Sequence, residues 1–153
     1  MHSVLFICTA NICRSPMAMG LLQGKVIDFI DDWKIESAGT WAAEGQPAAR
    51  FTQQVLLARG IDISSHRSRS VTPYLLKTFN LILTMEAGHK EALKVEFPDI
   101  SRKFFTLSQM IDQSFDIFDP IGGPLVEFEE TAREIFQILT KGFNKIEKLS
   151  NGS

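Results

Sequence analysis

Short apolar runs alternate with longer segments of helical periodicity along this chain, and no other feature of the sequence constrains the fold as strongly. The first run is rich in aliphatic residues, which is typical of a strand buried on both faces. We predict strands at residues 3–7, 33–37, 81–84 and 103–107, and helices at residues 17–30, 47–59, 86–95 and 126–149. Strands that alternate with helices indicate a parallel sheet covered by helices on both sides. The predicted fold class is therefore α/β.

Two residues with reactive or acidic side chains follow predicted strands. Cys8 comes directly after the first strand, and Asp119 lies in the long loop after the fourth. In open parallel sheets, ligands bind beyond the carboxyl ends of the strands. We therefore expect Cys8 and Asp119 to lie at the same edge of the sheet.

Length, charge and hydropathy exclude several classes of protein. A chain of 153 residues fits one domain, which we assign to residues 1–150. The net charge of −2 gives no basic surface for a nucleic acid. The apolar runs are far too short to span a bilayer, and no secretory signal is recognisable at the N-terminus. We expect a cytoplasmic protein without a nucleic-acid or membrane partner.

The cysteine and histidine pattern argues against disulfides and metals. The chain has two cysteines, Cys8 and Cys13, and its three histidines are scattered. A disulfide-based scaffold would carry more cysteines at wider spacing, and a zinc site would cluster its ligands. We therefore expect reduced thiols and no metal site.

The segment from Cys8 to Arg14 carries the chemistry. It joins a predicted strand to a predicted helix, and a loop of this length can turn several backbone N–H groups toward one anion. The helix that follows adds its N-terminal dipole, with Ser15 as the predicted N-cap and Pro16 in the first turn. The planar guanidinium of Arg14 matches two phosphate oxygens. Such a positive environment stabilises a cysteine thiolate, to which Ser15 can donate a hydrogen bond.

The alternative is a buried cysteine at a strand end and an arginine on the surface. The spacing of a cysteine, five residues and an arginine is not specific by itself. The strand before it, the helix after it and the run Asn11 to Pro16 make the anion-binding loop the better interpretation. Asn11 also suits the unusual backbone angles that a tight loop requires.

The chain resembles the low-molecular-weight protein tyrosine phosphatase family along nearly its whole length. The matching residues are Cys8, Asn11, Ile12, Cys13, Arg14, Ser15 and Pro16 in the loop, then Ser37 to Thr40, Gly60, Ile61, His66, Arg69, Asp119 and Pro120. The resemblance implies three layers, α/β/α, around a four-stranded parallel sheet in the order 2-1-3-4, a flavodoxin-like or Rossmann-like fold.

The resemblance also implies a mechanism without cofactor or metal. Cys8 attacks phosphorus, Arg14 holds the phosphoryl oxygens, and Asp119 is the general acid and then the general base. The phosphate-binding loop comprises Thr9, Ala10, Asn11, Ile12, Cys13 and Ser15. The implied partners are a phosphorylated protein or peptide and oxyanions such as phosphate or vanadate. From the residues alone, Asp119 and Pro120 could equally form an ordinary turn.

Three residues have supporting or alternative roles. Cys13 is either a small packed residue behind the loop or, as the resemblance suggests, a redox partner that traps oxidised Cys8 as a disulfide. His66 is expected to support the loop through a hydrogen bond to it or to Ser37 rather than to react. Ala10 replaces a glycine of many relatives, so its φ must be negative.

The residues after Asp119 bear on the substrate. Many relatives have aromatic residues after Asp-Pro, whereas Ile121 and two glycines follow here. The predicted substrate pocket consists of Ile12, Ile121 and Trp41, the last of which could also be an isolated surface residue. Relatives that act on phosphoarginine have similar Asp-Pro-x-Gly-Gly loops but usually a threonine in place of Ile12. Phosphotyrosine is therefore the predicted substrate and phosphoarginine the alternative.

Two further classes remain as alternatives. An arsenate reductase shares this fold and loop but needs additional cysteines to pass oxidation outward, and the chain has only Cys8 and Cys13. A phosphate-binding module without catalysis would not need nucleophile, arginine and acid together.

Overall fold

Four parallel strands form the central sheet of the computed structural model, which describes residues 1–152. The strands are β1 (His2–Cys8), β2 (Trp33–Gly39), β3 (Leu81–Thr84) and β4 (Phe104–Thr106). Their order across the sheet is β2-β1-β3-β4, which confirms the expected topology. β1 pairs with strands on both sides, as its apolar residues 4–8, all buried, favour.

Within residues 1–152, six α-helices and three 3-10 helices connect the strands or follow the last of them. The α-helices are α1 (Arg14–Lys25), α2 (Arg50–Leu57), α3 (Pro73–Thr78), α4 (Ala87–Glu96), α5 (Leu125–Lys141) and α6 (Phe143–Ser150). The 3-10 helices are Ile27–Asp32, Pro98–Lys103 and Leu107–Ile111. None of the helices within residues 1–152 has the length and apolar character that crossing a membrane requires.

The side chains of β1 alternate between two apolar layers. Val4 and Phe6 pack into the larger layer, which includes residues of α1, α2, α5 and α6. Leu5 and Ile7 pack into the smaller layer, with residues of α3 and α4. This alternation is the two-residue period of a strand, here apolar on both faces. The result is the expected three-layer α/β/α arrangement.

Several predicted helix bounds were wrong. The helix predicted over residues 17–30 ends at Lys25 and gives way to a 3-10 helix, and the helix predicted from residue 47 begins at Arg50. The long terminal helix is broken at Gly142 into α5 and α6. A side chain at residue 142 would overlap Met110, so a glycine is required where the two helices meet. The short α3 was not predicted.

The carboxyl ends of β1, β2 and β3 lie together at one edge of the sheet. The register pairs Cys8 with Gly39, and Ile7 with Thr84. The main chain continues this alignment past the strands, since the Met85 N–H donates to the Ile7 carbonyl and the Ile117 N–H donates to the Met85 carbonyl. The segment that leads to Asp119 is thereby attached to the edge at which Cys8 lies.

Candidate active site

The loop from Cys8 to Cys13 leaves β1 and turns back into the first residue of α1. Neighbouring segments hold its backbone: the Thr40 N–H donates to the Cys8 carbonyl and the Ala49 N–H to the Ile12 carbonyl, at 2.9 and 2.6 Å. The tight turn places Asn11 in the left-handed region, with φ of 58°. Ala10 is not among the described residues with positive φ, as its side chain requires.

Asn11 is fully buried, and its side-chain amide and its carbonyl are hydrogen-bonded. Its Nδ2 group donates to the hydroxyls of Ser15 and Ser37, each at 2.9 Å. Its Oδ1 atom accepts from the Arg69 N–H at 3.0 Å, and its carbonyl accepts from Nε2 of His66 at 2.8 Å. Burial lowers the pKa of His66, which keeps the ring neutral at physiological pH with the proton on Nε2. These bonds fix the strained residue on which the curvature of the loop depends.

The sulfur of Cys8 lies 3.0 Å from the hydroxyl oxygen of Ser15. That oxygen accepts a hydrogen bond from Asn11, so its own hydrogen can donate to the sulfur, which lies closer than the Ala38 carbonyl oxygen at 3.5 Å. Ser15 is therefore not the helix cap that the sequence predicted; the N-cap position is Cys13, without a side-chain cap. The hydroxyl stabilises the nucleophile instead of the helix end.

Arg14 is 2% exposed and its guanidinium makes short contacts with two groups. One terminal nitrogen donates to the Ile117 carbonyl at 2.7 Å, and the other lies 2.7 Å from a carboxylate oxygen of Glu86. The second nitrogen is also 3.7 Å from a carboxylate oxygen of Asp119. A buried guanidinium needs such partners to offset the loss of its hydration.

Glu86 was missed by the sequence interpretation as a site residue. It occupies the N-cap position of α4, just after β3. An acid close behind a predicted central strand lies near the edge where Cys8 was expected, and this position was the signal that could have identified it.

The loop after Asp119 turns sharply and leaves its carboxyl group at the cavity mouth. One carboxylate oxygen accepts from the Ile121 N–H at 3.1 Å, and the side chain remains 42% exposed. The Gly123 N–H donates to the Pro120 carbonyl, and Gly122 between them has φ of 82°. The glycines are therefore part of a turn that requires them, and the carboxyl group stays accessible to a ligand.

Most predicted site residues surround one cavity of about 200 Å³. Its lining residues are Cys8, Thr9, Ala10, Ile12, Cys13, Arg14, Asp119 and Ile121. Trp41 does not line it: its side chain is 85% exposed, and its contact with the loop is a backbone N–H that donates to the Thr9 carbonyl. A larger groove of about 670 Å³ lies along the end of α1, but no cysteine, serine or threonine is among its lining residues.

Cys13 differs from Cys8 in its surroundings. Burial raises its pKa to about 12, so it is a neutral thiol at physiological pH. Both cysteines are free. The packing interpretation accounts for this state of Cys13, and a disulfide with Cys8 stays a prediction for the oxidised protein.

His89 is a second contact that the sequence interpretation missed. Its Nε2 atom lies 2.9 Å from the hydroxyl oxygen of Thr9, the residue after the nucleophile. It was considered only as a metal ligand, because nothing in the spacing of residues 9 and 89 indicates that α4 packs beside the loop.

The cavity is electrostatically suited to an anion. The first turn of α1 contains no acidic residue, so its free N–H groups and dipole act without competition from its own side chains. The loop amides supply further positive potential, and Arg14 adds a guanidinium whose charge Glu86 partly offsets. The arrangement can bind an oxyanion against Cys8, with Asp119 among the residues that line the same cavity.

Comparison with known proteins agrees with this geometry. Residues 3–151 match the family described as low molecular weight phosphotyrosine protein phosphatase. The crystal structure of a low molecular weight protein tyrosine phosphatase from T. tengcongensis is 39% identical, with a TM-score of 0.90, over 95% of this chain and 99% of that one. A protein-arginine-phosphatase of Geobacillus stearothermophilus is 34% identical over 95% of this chain and 97% of its own length. The structure of the arginine phosphatase YwlE from that organism has a TM-score of 0.88, over 97% of this chain and 94% of that one. The chain therefore belongs to the low molecular weight phosphotyrosine protein phosphatase family, a family of hydrolases.

Proposed function

We propose that this chain is a protein tyrosine phosphatase that hydrolyses phosphotyrosine in proteins or peptides through a phosphocysteine on Cys8. The observation that carries the proposal is that Cys8, Arg14 and Asp119 line one cavity. A nucleophile, an anion-binding group and a proton donor are the three functions that transfer of a phosphoryl group to a side chain requires.

Arg14 can bind the phosphoryl group without giving up its present contacts. A guanidinium has five N–H donors, and the contacts with Ile117 and Glu86 use two of them, which leaves three. Those contacts also fix the plane of the guanidinium before the substrate arrives. The guanidinium is thus held in place for the two phosphoryl oxygens that it would bind.

In the first step the Cys8 thiolate attacks phosphorus, the sulfur–phosphorus bond forms and the bond to the tyrosine oxygen breaks. Asp119 transfers its proton to that departing oxygen, so that the product is a neutral phenol. Arg14 and the loop amides hold the three phosphoryl oxygens as charge shifts among them.

In the second step a water molecule attacks the phosphocysteine. Asp119, now ionised, takes a proton from the water while the sulfur–phosphorus bond breaks. Cys8 leaves as a thiolate, which the Ser15 hydroxyl stabilises at 3.0 Å. The products are inorganic phosphate and the starting enzyme, and no external oxidant, reductant or metal enters the balance.

Hydrolysis of p-nitrophenyl phosphate and of a phosphotyrosine peptide tests the proposal. Cys8→Ser should abolish turnover while phosphate binding is retained, because the loop and Arg14 remain. Asp119→Asn should lower the turnover of the peptide by about 100-fold or more. Arg14→Lys should weaken both binding and rate, since a point charge replaces the planar fork. Full activity of Cys8→Ser would overturn the mechanism.

The free cysteines support a reducing compartment. Cys8 and Cys13 are not joined by a disulfide bond in the structure. A mechanism that requires the Cys8 thiolate is lost when that sulfur is oxidised. The cytoplasm is the proposed location for this reason.

A phosphoarginine substrate is the second candidate, and the wall formed by Ile121 favours it. This wall is aliphatic and the turn behind it contains Gly122 and Gly123, so it gives no aromatic surface for a tyrosine ring. The similarity to the Geobacillus protein-arginine-phosphatase points in the same direction. Ile12 argues against it, because its alkyl side chain lines the cavity and cannot hydrogen-bond to a guanidinium leaving group.

The two substrates are distinguished by parallel assays of phosphotyrosine and phosphoarginine peptides. We expect wild-type kcat/KM to be higher for phosphotyrosine, and Ile12→Thr to shift the ratio toward phosphoarginine by about 10- to 100-fold, since one hydrogen bond to a charged group is worth about 1.5–3 kcal/mol. Ile121→Val, a matched change on the same wall, should leave the ratio near its wild-type value. Equal or better turnover of phosphoarginine by the wild type would replace the first candidate with the second.

A further inference from the structure

Thr9 is a solvent-exposed residue at the wall of the cavity. Thr9 follows the nucleophile directly and is one of the lining residues. Within residues 1–152, His89 is the one hydrogen-bond partner of this hydroxyl, with Nε2 at 2.9 Å from Oγ1. A hydroxyl can donate one hydrogen and accept through its lone pairs. If His89 donates to Oγ1, the hydroxyl hydrogen is left for a ligand; if His89 accepts, only a lone pair is left.

The other ring nitrogen of His89 decides that role. Nδ1 is buried and has no hydrogen-bond partner among the described residues. A buried N–H without an acceptor is rarer in proteins than a buried acceptor without a donor. Nδ1 is therefore the unprotonated nitrogen, and the ring proton is on Nε2, which donates to Oγ1 of Thr9. The Thr9 hydrogen is consequently free.

We propose that the Thr9 hydroxyl donates a hydrogen bond to an oxygen of the phosphoryl group bound in the cavity, and that His89 is the positioning residue that orients this hydroxyl. The inference rests on the proposed function, because it names an additional donor at the same site. Thr9 adds a side-chain donor to the backbone amides and to Arg14, on the side of the loop that faces α4.

The surroundings of His89 keep this assignment stable over a broad range of pH. Burial lowers the pKa of His89, and the charges that act on it are those of Glu86, Arg14, Asp116 and Asp119. The ring is neutral at physiological pH. If it became charged, Nε2 would still carry its proton and still donate to Thr9, so the orientation of the hydroxyl does not depend on titration.

The first turn of α4 is held firmly enough to position His89. Glu86 at the N-cap contacts Arg14 at 2.7 Å, and the Ala87 N–H donates to a carboxylate oxygen of Asp116 at 2.8 Å. The turn that carries His89 is thus tied to the anion-binding arginine and to the segment that precedes Asp119. A side chain so held can fix a hydroxyl at lower entropic cost than a mobile one.

Calorimetric titration with phosphate and with vanadate tests the inference without depending on turnover. Thr9→Val keeps the shape but removes the donor, and His89→Leu removes the group that orients it. Each should weaken vanadate binding about tenfold, the value of one hydrogen bond to a charged group. Thr9→Ser and His89→Gln keep a hydroxyl and an N–H donor, and should bind nearly as wild type.

The double variant Thr9→Val/His89→Leu distinguishes a shared role from two separate ones. It should bind vanadate no more weakly than the worse single variant, because both changes remove the same hydrogen bond. His2→Gln, far from the cavity at the start of β1, is the matched control for loss of a histidine. Thermal melting of every variant shows whether it is folded.

Three results of these titrations would contradict the inference or the proposed function. Additive losses in the double variant, or a His89→Gln protein as weak as His89→Leu, would overturn the positioning role. Wild-type affinity in Thr9→Val would overturn the hydrogen bond while the proposed function stands. A wild-type protein that does not bind phosphate or vanadate would overturn both.

A ¹⁵N NMR spectrum gives a readout independent of any ligand. The chemical shift of Nδ1 of His89 in the wild-type protein should be that of an unprotonated nitrogen at neutral pH. A protonated Nδ1 would mean that Thr9 donates to the ring, and the inference would be wrong.

Discussion

Asn11 shows how much of an anion-binding loop can depend on one side chain. It has φ of 58°, and its amide group bonds Ser15, Ser37 and the backbone of Arg69. Asn11→Ala removes three hydrogen bonds and leaves an alanine in the left-handed region. We expect a loss of about 3 kcal/mol in the free energy of unfolding, and a fall in kcat/KM of at least 100-fold because the loop loses its curvature. Urea denaturation and peptide hydrolysis measure the two effects.

Asp112 is the matched control for this change, because it is the other described non-glycine residue with positive φ, also 58°. It contacts Lys145 at 2.8 Å, away from the cavity. Asp112→Ala should lower stability while kcat/KM stays near the wild-type value. Equal losses of activity in the two variants would mean that Asn11 acts through general stability alone.

The two cysteines should differ in reactivity. Because burial raises the pKa of Cys13 to about 12, iodoacetamide at pH 7.5 should leave it unmodified. Cys8 lines the cavity and should be alkylated, with phosphate slowing the reaction by occupying the loop. Peptide mapping by mass spectrometry identifies the modified residue, and rapid alkylation of Cys13 in the native protein would refute this assignment.

At the scale of elements, the end of β2 shapes the loop from outside. A side chain at residue 39 would overlap the Thr9 carbonyl. The glycine therefore lets the loop backbone lie close to the end of β2. Gly39→Ala should displace the loop and lower kcat/KM by about tenfold or more. The far-ultraviolet circular dichroism spectrum should change little, because the secondary structure is retained. Steady-state kinetics with p-nitrophenyl phosphate measure the loss.

Gly88 provides the contrast, because it lies in α4 with open space around the position of an added Cβ. Gly88→Ala should stabilise the protein by up to about 1 kcal/mol through helix propensity, and activity should be retained. Wild-type activity in Gly39→Ala would contradict the role given to the end of β2.

The elements also show where sequence reasoning succeeds and where it stops. β1 was predicted at residues 3–7 and observed at His2–Cys8, because an aliphatic run of that length has few other structures available. The break at Gly142 was missed, since the apolar period of α5 continues into α6. What breaks the helix is the close approach of Met110, a contact between distant residues that local patterns do not encode.

The same limit applies to the site. The loop residues follow from their own spacing, because strand, turn and helix are contiguous there. Glu86 and His89 come from another element, and their contacts with Arg14 and Thr9 depend on how α4 packs at the sheet edge. The predicted contact of Ser15 with Cys8 is observed, but its predicted role as the helix N-cap was wrong, since Asn11 and Cys8 engage its hydroxyl.

At the scale of the whole molecule, two histidines couple folding to pH. Burial lowers the pKa of both His66 and His89 in the folded protein. In the unfolded chain a histidine titrates near 6.5, so below that pH the unfolded state binds more protons than the folded state. The contribution of the two histidines to the free energy of unfolding is therefore fully present above about pH 6.5 and is lost as the pH falls below it.

Urea denaturation between pH 8 and pH 5.5 measures this dependence. The wild-type free energy of unfolding should decrease over that range, and the double variant His66→Gln/His89→Gln should show a smaller decrease. The same slope in both proteins would assign the pH dependence to other groups.

The central claim is that the phosphoryl group passes through Cys8. p-Nitrophenyl phosphate tests it most directly, because its good leaving group needs little help from an acid, whereas hydrolysis of the intermediate needs Asp119 as a base. The measurement is mass spectrometry of Asp119→Asn protein that has been mixed with this substrate and quenched in acid. The account predicts a phosphoryl group on the peptide that contains Cys8, and none on any peptide of Cys8→Ala. A phosphoryl group on another residue, or steady turnover by Cys8→Ala, would contradict it.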